Sequence, residues 1–429
     1  MSDPSSALDS RRALWSWALY DWANSAFATA VIAGFFPIFF KQFWSAGSDV
    51  GESTLQLGTA NAVASLLILL SAPLLGALAD GLGQRKRFLL LFTALGVVMT
   101  ALLPLLEEGA WPLAIVLFVI ASLGFSGSNI FYDALLVFVA LPPQQHRASA
   151  LGFALGYLGG GLFFAFAVWM TLDPVRFGLI SATEAVQLSF FLVALWWAFF
   201  TLPLLFWVKE PARVASRSET GYLRQALREV AGTIREIRQQ REILLFLLAY
   251  WCYIDGVDTI IRMAVDYGLS LGFTSESLIT ALLLTQFVGF PAALFFGVIG
   301  ERYGARTGIY LALGVYIGVV LWAYWMNSEL EFYLMAAVIG LVQGGIQSLR
   351  RSYYARLIPA QRSGEIFGFY NMLGKFAAIL GPLLVGLSSY LSGDSRLSIL
   401  TLLPLFVVGG WLLSKVEEPA EIKQKVCLP

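Results

Sequence analysis

The sequence predicts an all-α polytopic membrane protein with twelve transmembrane helices in two pseudo-symmetric six-helix bundles. Three observations lead to this fold class: the composition, the number of apolar runs and two motifs shared by the halves of the chain. The 429 residues are 58% hydrophobic and only 13% charged, with a mean hydropathy of +0.74. A water-soluble domain of this length needs more charge to wet its surface. Most of the chain therefore belongs in lipid, and the lack of short alternating segments argues against a transmembrane β-barrel.

The apolar runs give the number of spans. An α-helix needs about 20 residues to cross the hydrocarbon core of a bilayer. Charged or Gly/Pro-rich breaks separate twelve such runs, near 15–43, 55–79, 87–106, 112–140, 149–171, 186–208, 242–270, 276–299, 306–326, 331–357, 364–390 and 396–415. A charged segment after the sixth run divides the chain into an N-terminal bundle (1–208), a linker (209–241) and a C-terminal bundle (242–429).

The linker has a helical pattern of its own. Between Leu223 and Ile237 apolar residues recur at helical spacing, with Arg and Glu between them. We expect an amphipathic helix that lies along the cytoplasmic face of the membrane. Such a helix is either a solvated connector, which we favour, or a regulatory element.

Basic residues predict the orientation of the spans. Arg85–Arg87, Arg147, Arg302, Arg306, Arg356 and Arg362 all fall on the same side as both termini and the linker. Loops on the other side carry few basic residues beyond Lys41, Arg176 and Arg396. Because Lys and Arg concentrate in cytoplasmic loops, we expect an integral protein of the bacterial inner membrane with both termini cytoplasmic. The first run is long and lacks a cleavage site, so we expect it to be retained as a span.

Two motifs recur in corresponding loops of the halves. G-A-L-A-D-G-L-G-Q-R follows span two, and G-V-I-G-E-R-Y-G-A-R follows span eight. The positions that correspond, at identical spacing, are Gly76, Asp80, Gly83 and Arg85 in the first loop and Gly297, Glu301, Gly304 and Arg306 in the second. A second echo pairs L-P-P-Q-Q-H-R-A-S-A-L-G-F (141–153) with I-P-A-Q-R-S-G-E-I-F-G-F (358–369). Two matches in corresponding loops indicate a duplicated six-helix unit.

The first motif has the chemistry of a gate. Gly76 and Gly83 would allow close approach of two helix backbones. Asp80 can pair with basic residues or with the N-terminus of a neighbouring helix, and so stabilise one conformation. We therefore predict a gating role for the eight residues at the corresponding positions.

The motif also carries a resemblance. Gly-x-x-x-Asp-x-x-Gly-x-Arg-Lys-Arg (76–87) resembles the signature loop of the major facilitator superfamily, and the copy at 297–306 lies where that fold repeats it. Four further stretches, Y-D-W-A-N-S-A-F (20–27), A-L-G-Y-L-G-G (154–160), Y-I-D-G-V-D-T-I-I (253–261) and G-G-I-Q-S-L-R-R-S-Y-Y-A-R-L-I-P (344–359), resemble the vacuole-effluxer-like branch. Its prokaryotic members were first named for unknown function, and its fungal members are associated with release of amino acids from the vacuole. The resemblance implies a transporter and suggests efflux.

Span seven is unusually charged for a transmembrane segment. Asp255, Asp258, Arg262 and Asp266 fall on one face of the predicted helix. A charge in the middle of the bilayer costs about 2.5–3.5 kcal/mol, so this face should meet protein or water. Arg262 lies one turn from Asp258 and Asp266 and could form an ion ladder with them. Lys375 of span eleven is the expected partner from another helix.

Other spans carry polar residues one turn apart. A single pair of this kind can serve only as an interhelical clasp, but several in spans that would line a central cavity favour a polar pathway. The predicted substrate-binding residues are Asp21, Asn24, Asn129, Asp133, Asp255, Asp258, Arg262, Gln343, Gln347, Asn371 and Lys375. Arg350 and Arg351 end span ten, where we expect them to reach the membrane surface or join the gate, without substrate contact.

These features predict a secondary active transporter. We expect it to move a small, zwitterionic, amino-acid-like solute outward by alternating access, with protons coupled through Asp255 and Asp258. Sodium is the rival ion, with Thr259 as an additional oxygen ligand. Alternatives are a transporter of sugars, organic cations or drugs, a lipid translocase, or a receptor.

The expected partners are the solute, protons and the bilayer. We expect the protein to act as a monomer without cofactor, metal or nucleic acid. Neither a Walker motif nor an HExxH or GxSxG motif occurs, so ATP-driven transport and intramembrane hydrolysis are not expected.

The predicted topology can be tested by labelling single cysteines in a variant without Cys252 and Cys427. Cysteines introduced at Gly51, Gly109 and Asn327 should react with an impermeant reagent from outside the cell, and one at Ser218 should not. Outside labelling at Ser218 would reverse the orientation.

Overall fold

The computed structural model is a bundle of long helices. It describes residues 4–47, 50–210, 230, 232–233, 235, 239–392 and 395–417. Among these residues, eleven helices are long and apolar enough to cross a membrane. Another long helix, Ser363–Ser392, lies at the position of the predicted eleventh span. The predicted helical membrane fold is therefore confirmed.

Six long helices form the first half of the chain. Helix α1 begins at Pro4 and continues to Trp44, with wider π-helical turns over Phe27–Phe35 and Phe40–Trp44. In these turns the N–H of Phe36 bonds the carbonyl of Val31, five residues back. The others are α2 (Val50–Leu82), α3 (Arg85–Leu102), α4 (Trp111–Val139), α5 (Gln145–Leu172) and α6 (Ala182–Trp207).

Six corresponding helices form the second half. They are α7 (Arg241–Ser270), α8 (Ser275–Tyr303), α9 (Ala305–Trp325), α10 (Glu329–Leu357), α11 (Ser363–Ser392) and α12 (Leu403–Ser414). Several extend about a turn beyond the predicted spans, since polar helix ends project past an apolar run. The predicted amphipathic helix of the linker falls largely outside the described residues.

The repeated glycines have two different functions. Gly83 and Gly304 follow α2 and α8 with φ values of 62° and 84°, a backbone region that side chains disfavour and that ends helices. Gly83 thus makes the turn after α2, and the close helix approach expected of it stays a prediction. Gly76 does provide close approach: a Cβ there would come within 2.8 Å of the Glu365 Cα.

The two halves pack crosswise at one end of the bundle. We call this the basic end, because Arg85, Arg147, Arg306 and Arg362 lie there. The end of α2 packs on the start of α11, and the end of α8 packs on the start of α5. A Cβ at Gly297 would lie 2.5 Å from the Ala150 Cβ. Each copy of the first motif thus contacts the second motif of the opposite half.

Candidate functional site

A cavity of about 350 Å³ lies between the two halves. Its walls come from α1, α4 and α5 of the first half and from α7, α8, α10 and α11 of the second. Nine of the eleven predicted substrate-binding residues line it: Asp21, Asn24, Asn129, Asp133, Asp258, Gln343, Gln347, Asn371 and Lys375. Asp255 is not among the lining residues, and the side chain of Arg262 lies outside the described part.

The charges on the cavity wall balance. Among the described lining residues, three are acidic and three are basic: Asp21, Asp133, Asp258, Arg350, Arg351 and Lys375. The acidic residues come from α1, α4 and α7, whereas all three basic residues come from α10 and α11. Both signs of charge are therefore available to a bound molecule.

Arg351 joins the halves beside the cavity. Its side chain is buried, and Nη1 lies 3.2 Å from Asp133 Oδ1 and 3.6 Å from Asp21 Oδ2. Nε donates to Ser149 Oγ at 2.8 Å, and Nη2 donates to the Ser149 carbonyl at 2.9 Å. The expectation that Arg351 reaches the membrane surface is wrong, because its buried side chain pairs with two carboxylates of the other half. Its contacts instead suit the alternative that it joins the gate.

Arg350 lies in the cavity wall, where sequence analysis did not place it. Its guanidinium carbon is 5.2 Å from the centre of the Tyr250 ring and 5.9 Å from that of Tyr370. These distances are typical of cation–π contacts. Its Nε and Nη1 atoms are buried and have no hydrogen-bond partner among the described residues. No sequence pattern indicates the contacts of either arginine. Helical periodicity shows which face of a helix a residue lies on, but not which residues of other helices it meets.

Amide side chains connect helices around the same cavity. Asn24 Nδ2 donates to Asn129 Oδ1 at 2.7 Å, which joins α1 to α4. Asn371 Nδ2 lies 3.4 Å from Asp133 Oδ2, which joins α11 to α4. The polar pairs seen one turn apart in the sequence therefore make contacts between helices. Their predicted role in binding stays a prediction.

The charged face of α7 divides between two environments. Asp258 lines the cavity. Asp255 is 1% exposed and accepts a hydrogen bond of 2.7 Å at Oδ1 from the backbone N–H of Gly381 in α11. Asp255 therefore lies in a contact between helices and not in the described cavity wall, since residues three apart differ by roughly 60° around a helix. Its predicted role in substrate binding stays a prediction. The side chains of Arg262 and Asp266 lie outside the described part, so the ion ladder stays a prediction.

Asp80 docks onto the first turn of α11. Its Oδ1 accepts from the N–H of Gly364 at 3.0 Å, and its Oδ2 accepts from the N–H of Glu365 at 2.8 Å. Arg85 forms a buried ion pair with the same carboxylate. The first N–H groups of a helix lack internal partners and attract negative charge. Asp80 therefore ties α2 to the opposite half at the basic end.

The corresponding contact of the second copy is weaker. Glu301 pairs with Arg147 at 2.6 Å, but the arginine side chain is 64% exposed. Arg306 turns away and donates to the carbonyl of Val416 at 2.8 Å. Exposed ion pairs contribute about 0.2–1 kcal/mol. The two copies of the motif therefore dock at the same end with unequal strength.

Sequence analysis did not identify His146 as a contact between the halves. It is buried between α5 and α10, where Nε2 lies 2.7 Å from Arg356 Nη1 and Nδ1 lies 2.8 Å from Ser352 Oγ. A guanidinium can only donate, so Nε2 accepts and the ring proton lies on Nδ1. A lone histidine in a loop has no motif that could have indicated this role.

Two crosswise-docked helical halves with a charged cavity between them define a transporter of the major facilitator superfamily (MFS). The human organic anion transporter MFSD10 superposes with a TM-score of 0.73 at 17% identity, covering 96% of this chain and 100% of that one. The proton:xylose symporter XylE superposes with a TM-score of 0.72 at 11% identity, covering 96% and 95%. At such identities these likenesses show the fold alone.

Sequence comparisons place the chain within this class. It matches the family described as vacuole effluxer Atg22 like over residues 9–56, 53–147 and 142–425. It is 39% identical over 405 residues to the MFS-type transporter YxiO of Bacillus subtilis (strain 168), a match covering 94% of each protein. Autophagy-related protein 22-1 of Aspergillus niger is 26% identical over 286 residues, which cover 60% of this chain and 46% of the fungal protein. The chain belongs to the vacuole effluxer Atg22-like family, and the family resemblance seen in the sequence is confirmed.

The Asp80 contact predicts the effect of one substitution. In Asp80→Asn an amide nitrogen would face a backbone N–H, and the pair with Arg85 would lose its charge. A hydrogen bond to a charged group contributes about 1.5–3 kcal/mol, so we expect transport turnover to fall by about tenfold or more. Solute affinity should change by less than about threefold, because Asp80 lies outside the cavity.

Glu301→Gln is the matched control, since it removes the exposed charge at the corresponding position. Its turnover should stay within about threefold of the parent protein. Flux and binding measured on the same reconstituted samples compare the variants. Normal turnover in Asp80→Asn with a large loss of affinity would assign Asp80 to binding and not to gating.

Proposed function

We propose that this chain is a secondary active transporter that exports a small zwitterionic, amino-acid-like solute by alternating access, coupled to protons. One observation carries the proposal: the described cavity wall holds equal numbers of acidic and basic side chains, with the basic ones confined to α10 and α11. Because Arg351 already pairs with Asp133 and Asp21, Asp258 of α7 and Arg350 of α10 are the proposed charges for the solute, and a solute that carries both signs complements them. A few placed polar groups in a concave site are typical of small-molecule binding.

Arg350 is the proposed contact for the carboxylate of the solute. Its planar guanidinium is oriented by Tyr250 and Tyr370, and two of its nitrogen atoms have no hydrogen-bond partner among the described residues. Buried donors without a partner are unfavourable, and a carboxylate matches the guanidinium geometry through paired hydrogen bonds. The basic residues predicted from the sequence to bind substrate are Arg262 and Lys375, and not Arg350.

Asp258 is the proposed contact for the ammonium group. It lines the same cavity and is close enough to Arg350 to interact with it electrostatically. A zwitterion placed between the two would satisfy both charges. Asn129 and Gln347 line the same cavity, and their side-chain N–H groups can donate to the rest of the solute, since their carbonyl oxygens accept from Asn24 and Tyr157.

Alternating access follows from the crosswise contacts. The described conformation is closed at the basic end by Asp80, His146 and Arg351, each of which contacts the opposite half. Opening that end requires these contacts to separate while the cavity stays between the halves. We expect the basic end to be cytoplasmic, as the distribution of Lys and Arg predicts.

The family supports export, since its description is that of a vacuole effluxer. A sugar is the second candidate solute, because six carboxamide side chains also line the cavity: Asn24, Asn129, Gln286, Gln343, Gln347 and Asn371. Carboxamides both donate and accept hydrogen bonds, as sugar hydroxyls do.

The proposal is tested by ligand-induced thermal stabilisation of the purified protein. Amino acids or short peptides should raise the unfolding temperature. Stabilisation by sugars alone would overturn the proposed solute class, and bilayer-lipid scrambling without solute flux would favour a lipid translocase.

The role of Arg350 is tested with a ligand pair. We expect Arg350→Gln to weaken binding of a stabilising amino acid by about tenfold or more, because a charge-assisted contact is lost. Binding of the corresponding amino-acid amide, which lacks the carboxylate, should change by less than about threefold. Calorimetry measures both affinities.

Arg176→Gln is the control, because Arg176 pairs with Asp173 in a loop, and it should affect neither ligand. Equal loss of both ligands in Arg350→Gln would show that Arg350 supports the cavity and does not recognise the carboxylate.

A further inference from the structure

The contact between α7 and α11 contains two buried oxygen atoms without partners. Asp255 Oδ1 accepts from Gly381, but Oδ2 has no hydrogen-bond partner among the described residues. Thr259, one turn further along α7, is fully buried, and its Oγ1 also has no partner there. Both side chains meet α11 at Gly381, where a Cβ would come within 2.7 Å of Asp255 Oδ1 and would collide with Thr259. Glycine is therefore required for this approach.

The charge state of Asp255 decides whether the contact is stable. Among the described residues, no basic side chain lies within ion-pair distance of its carboxylate. An ionised carboxylate with one hydrogen-bond donor and no cation is costly to bury. A proton on Oδ2 removes the charge and turns that oxygen into a donor. The two oxygens do not bond each other in the described conformation. A hydrogen bond from the protonated acid to Thr259 Oγ1 therefore requires a rotation of one of the two side chains.

We propose that Asp255 holds the coupling proton at a site separate from the solute cavity, that Thr259 accepts the resulting hydrogen bond, and that α11 transmits the protonation state. The inference rests on the proposed proton-coupled transport. It assigns Asp255 to the proton and Asp258 to the solute. The proton comes from water that enters the cavity on one side of the membrane and returns to water on the other side.

Helix α11 connects this site to the rest of the mechanism. Its first turn, at Gly364 and Glu365, binds Asp80 of the gate. Its middle carries Asn371 and Lys375 into the cavity wall. Gly381, further along, binds Asp255. Loss of the proton would leave a buried charge that needs water. Helix α7 would then separate from α11 to admit water, and because α11 also contacts the cavity and the gate, this movement would change both.

Other ionisable groups near Asp255 are few in the described part of the chain. Asp258 and Cys252 flank it on α7, and Arg350 and Lys375 face the cavity from α10 and α11. Helix α12, which also packs on α7, has no ionisable side chain in Leu403–Ser414. Asp258 is the one of these groups that shares α7 with Asp255 and also lines the cavity.

Asp255→Asn is the principal test, because the amide has the shape of the protonated acid and can still accept from Gly381 and donate to Thr259. In proteoliposomes we expect solute counterflow to stay within about threefold of the parent protein, while accumulation driven by a pH gradient is lost. Asp258→Asn is the matched control, one turn away: it should weaken solute binding but keep pH-driven accumulation at saturating solute. Accumulation retained by Asp255→Asn, or driven in the parent protein by sodium alone, would overturn the assignment.

Thr259→Val provides an independent measurement should Asp255→Asn fail to fold. Removal of the acceptor destabilises the protonated form, so the midpoint of pH-dependent accumulation should move to lower pH by about half to one unit. An unchanged midpoint would contradict the proposed hydrogen bond. Absence of counterflow in the parent protein would instead show that the proposed transport function is wrong.

Discussion

Arg351 is a buried cation of the second half whose partners, Asp133 and Asp21, belong to the first half. The hydrocarbon core gives a charge no water, so each ionised side chain placed there must find its partner inside the protein. In this chain the partners lie across the boundary between the halves. Three other features depend on that arrangement: the cavity wall, the Asn371–Asp133 contact and the position of Arg350 beside Arg351. Separation of the halves must therefore give these charges other partners, such as water or a solute. The same interaction joins the two halves and places charged groups on the cavity wall.

The crosswise docking explains why the motifs occur as two pairs. The loop after α2 contacts the start of α11, and the loop after α8 contacts the start of α5, so each half supplies both an acidic loop and a helix start. Duplication of one six-helix unit produces both contacts together. They have since diverged in strength, because Asp80 is buried against backbone N–H groups while Glu301 meets an exposed arginine.

The sequence predicts the architecture well, because lipid imposes long apolar runs and duplication leaves repeats that can be read directly. It also identifies most of the cavity wall from polar residues one turn apart, including Asn24, Asn129 and Asp258. It does not distinguish Asp255 from Asp258. Helical periodicity shows which face of a helix a residue lies on, but not whether that residue meets a cavity or another helix. Arg351 and His146 could not be placed, because their partners lie about 200 residues away in sequence. The turn at Gly83 is not predicted, because a glycine that makes a turn and one that allows close packing look alike in sequence.

The balance of charge on the cavity wall has an electrical consequence. Moving one uncompensated charge through the membrane field changes the free energy by about 2.3 kcal/mol per 100 mV. Three acidic and three basic side chains line the described wall. In the proposed alternating-access cycle, their charges sum to zero when all six are ionised and the empty cavity turns from one side of the membrane to the other. The membrane potential then has little influence on that return step. The membrane potential acts on the step in which the protein carries an unpaired charge. Binding of a single extra ion is therefore the voltage-sensitive event of the cycle.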